Sequence, residues 1–289
     1  MVKIIDGKAI SQEIRDELKE KVRKLKEETG IIPGLAVILV GDNPASKSYV
    51  TAKERALEQV GMTSVDIRLP ETTTQDELVS CIKSLNENTD VHGILVQLPL
   101  PKHIDENVII DTISPKKDVD GFTAINVGNM LIGKKCFLPC TPYGIIQLLK
   151  YSNIDTCGKH VVVVGRSNIV GKPIANLLAS KEYGNATVTI CHTKTFNLTE
   201  HTRQADILIV ASGRPNTING SMVKYGAVVI DVGVNRIPST ETKSGYKLVG
   251  DCDFESVSEV ASLITPVPGG VGPMTITSLL ENVYLAASK

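Results

Sequence analysis

Val161-Val-Val-Val-Gly165-Arg-Ser-Asn-Ile-Val-Gly171-Lys-Pro173 opens with a run of valines, turns at one glycine and leaves through a second toward a proline. A short β-branched run that ends on glycine reads as a buried strand. Proline just past such a turn suits the first position of a helix, so a helix is predicted from Lys172 or Pro173 to about Lys181. A strand, a glycine-permitted turn and a helix start together present backbone N–H groups and the positive end of a helix dipole to a phosphate. Ser167 stands where Gly-x-Gly-x-x-Gly would have its second glycine. The motif alone is therefore weak, and a plain strand–turn–helix connection would use the same residue types.

Further strands are predicted downstream at Thr187-Val-Thr-Ile190, Asp206-Ile-Leu-Ile-Val210 and Ala227-Val-Val-Ile230. Dinucleotide-binding domains that take NAD commonly end their second strand on Asp or Glu, which accepts from the ribose hydroxyls. The second strand here runs Val188-Thr-Ile-Cys-His-Thr-Lys194 and ends without a carboxylate. His192, Thr193 and Lys194 make that end basic and hydroxylated. Arg166 carries a planar fork suited to a 2′-phosphate. Ordinary surface charge accounts for each residue singly; the missing acid together with the added bases favours NADP over NAD.

Upstream the alternation repeats. Ile10, Ile14, Leu18, Val22 and Leu25 lie at helical spacing, and Gly30 closes the segment. Leu35-Ala-Val-Ile-Leu-Val40 reads as a buried strand, and Asp42-Asn43-Pro44 as the start of a helix over 44–60. A strand at 63–68, a helix at 74–87 and the strand Gly93-Ile-Leu-Val96 follow. This βαβ rhythm predicts an α/β fold of two domains with parallel sheets, divided in the Pro/Gly-punctuated stretch 115–144.

Composition narrows the function classes. The chain has 289 residues, 42% of them hydrophobic, with 31 basic and 32 acidic side chains for a net charge of −1. That balance gives no support for a nucleic-acid partner or an anionic membrane surface. No apolar run reaches the length of a transmembrane helix, and the first residues do not read as a signal peptide. The cysteines form no Cys-x-x-Cys pair and the histidines show no ligand spacing, so no metal site is expected. Cys136 and Cys140 read as two of several scattered reduced thiols, as in a cytoplasmic protein.

Tyr49 and Lys53 lie four residues apart on the predicted helix 44–60 and so share a face, with Ser46 two turns from Lys53. A solvated lysine beside a half-buried tyrosine would look the same. Parallel α/β sheets, however, place their sites beyond the carboxyl ends of strands, where Gln97-Leu-Pro-Leu-Pro101 follows 93–96. A lysine partly desolvated near Gln97 would exchange protons near neutral pH. Asp120 reads either as a turn residue before Gly121 or as an acceptor for a flat nitrogen-rich ring. Near the C-terminus, Ile264-Thr-Pro-Val-Pro-Gly-Gly-Val-Gly-Pro-Met-Thr275 combines three prolines and three glycines. This is an irregular, stiff loop with backbone open to close approach, suited to touching a ligand or joining domains.

Taken in order, Tyr49-Val-Thr-Ala-Lys53, Val96-Gln-Leu-Pro-Leu-Pro101, Lys117-Asp-Val-Asp-Gly121, Pro139-Cys-Thr-Pro142, Val164-Gly-Arg-Ser167 with Ile169-Val-Gly171, and the 264–275 loop resemble one family. It is that of the bifunctional methylenetetrahydrofolate dehydrogenase/methenyltetrahydrofolate cyclohydrolases, and the likeness spans nearly the whole chain. The resemblance implies two α/β domains flanking a cleft, the second a Rossmann-like NADP-binding domain. Residues 1–120 would form the folate-binding catalytic domain, with a C-terminal helix at about 273–289 packed back on it, and 121–272 the NADP-binding domain. It implies oxidation of 5,10-methylenetetrahydrofolate with NADP, then hydrolysis to 10-formyltetrahydrofolate. Lys53 would be the central catalytic group, tuned by Gln97, with Tyr49 orienting the folate and Asp120 anchoring its pterin. Val96, Leu98, Pro268, Gly269, Gly270 and Pro273 would complete the substrate contacts. Gly165, Arg166, Ser167, Thr193 and Val234 would hold the cofactor; Thr193 stands where the family has Ser and keeps the hydroxyl. The family is usually homodimeric through its nucleotide domains. A monofunctional dehydrogenase on the same scaffold is the alternative, and a non-catalytic NADP- or folate-binding regulator a more distant one.

Overall fold

The structure, a computed structural model, describes residues 2–240, 242 and 245–289. It divides into two compact units, neither continuous in sequence. One comprises Gln12–Cys140 with Ile276–Lys289; the other takes the chain up to Ser11 together with Thr141–Thr275.

The first unit is built on a three-stranded parallel sheet in the order Thr63–Leu69, Gly34–Val40, Gly93–Val96. The central strand is buried at every position, which is why it reads as an unbroken apolar run: a parallel strand covered on both faces has no polar side to alternate with. Its residues divide by parity. Leu35, Val37 and Leu39 pack with Leu18, Val50, Leu57, Leu280 and Val283. Ala36, Ile38 and Val40 pack with Leu78, Ile82 and Ile109 on the opposite face. Helix Pro44–Gln59 follows the central strand, its first turn held by Asn43 Oδ1, which accepts from the Ser46 N–H at 3.3 Å. Helix Gln75–Glu87 starts on a reciprocal capping box between Thr74 and Glu77, which satisfies two orphan donors at the helix start.

The second unit holds a six-stranded, all-parallel sheet. Its order is Lys3–Ile4, Leu263–Ile264, Val228–Asp231, Ile207–Val210, His160–Val164, Thr187–Cys191. An antiparallel hairpin, Asn235–Pro238 with Tyr246–Val249, stands apart from it. The helix after the nucleotide turn runs Gly171–Ala179.

Several features differ from the sequence reading. Ile264 is not the start of a loop but the inner end of a two-residue strand, paired to Ile4 on one side and Val229 on the other. Lys3–Ile4 therefore belongs to the sheet of the later half of the chain, and the compact units are drawn differently from a division at 1–120 and 121–272. Residues 121–140 stay with the first unit because Asn282 donates to the carbonyls of Val119 at 2.8 Å and Leu138 at 2.9 Å. The units do divide within the stretch 115–144, between Cys140 and Thr141, but that stretch is no open linker: it contains helix Ala124–Leu131 and the start of helix Cys140–Tyr151. The last helix, Val271–Ala287, begins two residues before Pro273, so that proline sits in its first turn, where a missing N–H is tolerated. From Ile276 onward it belongs to the first unit, with Leu279, Leu280 and Val283 in that unit's core.

Candidate functional site

The first unit gathers Lys53, Gln97, Asp120 and Cys140 beyond the carboxyl end of its sheet. Helix Pro44–Gln59 supplies Lys53, and Gln97 follows the strand Gly93–Val96, its N–H bonded to the Ile38 carbonyl at 2.9 Å. Lys53 Nζ donates to Gln97 Oε1 at 3.0 Å, and Gln97 Nε2 is pinned by the Leu98 carbonyl at 2.7 Å. The Gln97 amide thus has its oxygen turned to the amine by a bond on its other end. Burial holds the Lys53 amine below the usual lysine range, with the Asp120 and then the Cys140 side chains opposing that shift. Burial likewise pushes the Asp120 carboxyl up, partly offset by Lys53. Both shifts favour the uncharged forms, the state in which an amine accepts a proton.

The backbone carrying Asp120 is braced from several directions. Asp118, 2% exposed, accepts from the N–H groups of Phe122 at 3.1 Å and Thr123 at 2.8 Å, and from Asn126 Nδ2 at 2.8 Å. Gly121 has φ +72°, and a Cβ there would lie 2.7 Å from the Pro139 nitrogen. Only glycine fits that turn without strain. Cys140 is buried, donates from Sγ to the Val119 carbonyl at 3.3 Å, and has its thiol pushed well up by burial and by Asp120. It is a neutral thiol in the cluster. Nothing in its spacing from Cys136 pointed to this place; its signal lay in the Pro139-Cys-Thr-Pro142 block.

Tyr49, 47% exposed, lies one turn before Lys53 on the same helix. Val96 is buried and Leu98 part-buried, flanking Gln97. Pro268, Gly269, Gly270 and Pro273 belong to the other unit. There the Gly269 carbonyl accepts from the Lys8 N–H at 3.1 Å, and a Cβ on Gly7 would collide with the Gly270 carbonyl. Gly269 and Gly270 are buried and Pro268 is exposed. The loop thus requires glycine at position 7, where helix Gly7–Thr29 starts, while a Cβ on Gly270 would meet Pro266 and Thr265 of the loop itself and Gly269 has φ +111°.

In the second unit, Gly165 has φ +134°, and a Cβ on it would strike the Ala211 carbonyl; one on Gly171 would strike the Gly165 carbonyl. The turn therefore lies flat against its neighbours. Ser167, in place of a second glycine, uses its hydroxyl to accept from the N–H groups of Val170 at 3.1 Å and Gly171 at 3.3 Å. Those N–H groups are thereby held within the loop, a difference from the expectation that the helix start would offer them outward. Arg166, Ser167, Asn168 and Ile169 are exposed. At the end of strand Thr187–Cys191, the His192 N–H bonds Thr195 Oγ1 at 2.8 Å and His192 Nδ1 accepts from the Lys194 N–H at 3.1 Å. Thr193 and Lys194 face solvent, as does Val234. A cradle that a Cβ would fill and a strand end without a carboxylate both fit a phosphorylated dinucleotide.

Residues 5–120 match the model of the tetrahydrofolate dehydrogenase/cyclohydrolase catalytic domain, and residues 139–289 that of the NAD(P)-binding domain. The chain belongs to the tetrahydrofolate dehydrogenase/cyclohydrolase family. It is similar to the bifunctional protein FolD of Chloroherpeton thalassium, 58% identical over 282 residues covering 96% of each chain. Among solved structures it resembles the FolD methylenetetrahydrofolate dehydrogenase/cyclohydrolase of Campylobacter jejuni, with TM-score 0.94, 52% identity and coverage of 100% and 99% of the two chains. The Trypanosoma brucei enzyme, solved with NADP cofactor and an inhibitor, gives TM-score 0.94 at 39% identity over 99% and 97%. The chain is accordingly a bifunctional dehydrogenase and cyclohydrolase of folate one-carbon metabolism, with a mixed α/β fold and a Rossmann-like NAD(P)-binding domain.

Proposed function

We propose that the protein oxidises 5,10-methylenetetrahydrofolate with NADP to 5,10-methenyltetrahydrofolate and hydrolyses that cation to 10-formyltetrahydrofolate. The observation that carries the reading is the desolvated Lys53 amine, 3.0 Å from Gln97 Oε1 and close enough to Asp120 to feel its charge. Water adding to the amidinium carbon must lose a proton, and the ring nitrogen that then departs must gain one. A single amine with a lowered pKa serves both steps, first as acceptor and then as donor, and emerges unchanged. Gln97 keeps Nζ aimed, Asp120 accepts from the nitrogen-rich ring, and Tyr49 lies against the folate.

Bound there, NADP would supply a hydride acceptor for the methylene carbon. Gly165 and Ser167 shape the loop that would receive it, Arg166 and Thr193 would take the 2′-phosphate, and Val234 would lie against the cofactor. The Arg166 fork and the absence of a carboxylate after Cys191 support NADP over NAD. We propose further that the protein works as a homodimer through its nucleotide-binding domain. Strand Thr187–Cys191 lies at the edge of its sheet with Ile190 43% exposed, which supports that surface. A cytoplasmic setting accords with six free cysteines, since oxidising compartments would pair such thiols.

The test is one assay. Given methylenetetrahydrofolate and NADP, the protein is expected to raise the absorbance of the methenyl product and then speed its decay. Accumulation that decays only at the uncatalysed rate would identify a monofunctional dehydrogenase. No turnover would identify a binder.

A further inference from the structure

The carboxyl ends of strands Ile207–Val210 and Val228–Asp231 carry two buried carboxylates that none of the roles above uses. Asp231 is 3% exposed and Asp251 0%. Asp231 Oδ1 accepts from the N–H groups of Gly233 at 3.0 Å and Asp251 at 2.9 Å, and its Oδ2 from Cys252 at 2.9 Å. That grip seats Asp251. Asp251 Oδ2 in turn accepts from the N–H groups of Ser212 at 2.6 Å and Gly213 at 2.8 Å, while its Oδ1 accepts from Asn235 Nδ2 at 2.8 Å. Glycine makes the stacking possible: a Cβ on Gly250 would strike the Asp231 carboxylate, and one on Gly233 the Asp251 carboxylate.

These bonds converge on the segments that border the nucleotide turn. Ser212 and Gly213 follow Ala211, whose carbonyl lies directly against Gly165. Asn235 and Gly233 bracket Val234. One carboxylate thus ties together the loop after strand Ile207–Val210 and the loop after Val228–Asp231. Through Ala211 it also backs the turn after His160–Val164. Dinucleotides lie across the carboxyl ends of parallel strands, where such loops set the surface. Charge-assisted bonds to backbone N–H groups are about twice as strong as neutral ones, so a buried carboxylate is well suited to hold such loops.

We propose that Asp251, seated by Asp231, is a positioning residue for the dinucleotide cofactor: it fixes the Ser212–Gly213 turn and the Val234 segment against the Gly165 loop without itself touching the cofactor. The proposal rests on the reading that NADP binds at this unit's strand ends. Asp251→Asn keeps the shape but puts an amide N–H against one of the donors it now satisfies. The expected result is a rise of roughly tenfold or more in Kd and KM for NADP with kcat within about threefold. Hydrolysis of methenyltetrahydrofolate, which uses Lys53 and no cofactor, is expected to stay within about twofold. Asn235→Ala, which removes the bonds to Asp251 and to the Gly250 carbonyl and leaves the other two Asp251 bonds, is expected to raise the NADP constants by about threefold, and it decides the matter if the aspartate variant does not fold. Equal NADP binding in wild type and variant, or dehydrogenase and hydrolase falling together, overturns the positioning role. Wild-type protein that does not bind NADP at all overturns the cofactor reading instead.

Discussion

Replacing Lys53 with Met separates the hydrolytic chemistry from the rest of the protein. Methionine fills the stem volume of lysine with a flexible apolar chain and lacks the amine. What disappears is the proton carrier and its 3.0 Å bond to Gln97 Oε1. A positioned acid–base group contributes about 10²–10⁴ in rate, or about 3–5 kcal/mol of barrier at roughly 1.4 kcal/mol per tenfold. Because the amine acts twice in one turnover, we expect the upper half of that range, a fall of about 10³-fold or more in hydrolysis. Hydride transfer depends on positioning and should fall less.

Stability moves differently. The folded pKa of Lys53 lies below its ordinary value of 10.5. The stability linked to the group is present above the unfolded value and lost as pH falls through the folded one. At pH 7, below the unfolded value, burying this amine is therefore a net cost that Met removes. Against this, Gln97 Oε1 loses its donor, worth about 1–3 kcal/mol when sealed from water and less here because the residue is part-buried. The two effects oppose, so Tm at pH 7 should stay within about 4 °C of wild type. The assay pairs decay of methenyl absorbance with a thermal melt on the same preparation. A variant hydrolysing at more than about one tenth of the wild-type rate would refute Lys53 as the proton carrier. A Tm lower by 10 °C or so would refute the desolvated amine.

Arg166→Ala should raise KM for NADP by about tenfold, the scale of one exposed charge-assisted contact, and leave KM for NAD nearly unchanged; equal effects on both cofactors would remove Arg166 from the 2′-phosphate. Gly165→Ala places a Cβ against the Ala211 carbonyl at φ +134°, which should cost about 2–5 kcal/mol and weaken NADP binding; an unchanged melt would contradict the close packing. Burial pushes the Asp231 carboxyl up from 3.8 to about 6, so its contribution is present below pH 3.8 and lost as pH rises through 6. Asp231→Asn has no such loss, and the stability difference between variant and wild type should shift toward the variant by roughly 2 kcal/mol from pH 4 to pH 7. Denaturant melts across that range showing a constant difference would argue against the raised value.

The strands that sequence made visible are those whose burial on both faces leaves a continuous apolar run, such as Gly34–Val40, Gly93–Val96 and His160–Val164. Lys3–Ile4 and Leu263–Ile264 were not legible, because two residues show no period and their pairing spans most of the chain. Lys53 and Gln97 were found from helix spacing and strand-end position, both local properties. Cys140 and Asp118 stand in the family blocks, but their roles have no local signal: a buried thiol and a carboxylate that braces a turn look like any other Cys or Asp until the third dimension supplies their partners. The same holds for Asp231 and Asp251, whose roles lie in backbone N–H groups up to 39 positions away. In sequence Ser167 is only a departure from a glycine pattern, whereas in the fold its hydroxyl closes the loop by accepting from Val170 and Gly171.

The interleaving of the two units has a consequence for how the protein is made. The six-stranded sheet recruits Lys3–Ile4, whose neighbour Leu263–Ile264 emerges some 260 residues later. The three-stranded unit waits for Leu279, Leu280 and Val283 to cover one face of its central strand. Neither core can close before residues 263–283 have been made, so the nascent protein carries exposed parallel strands until then. A gene cut between codons 140 and 141 would yield two fragments, each lacking a piece of its own core. Soluble halves should therefore be recovered only when both are produced together.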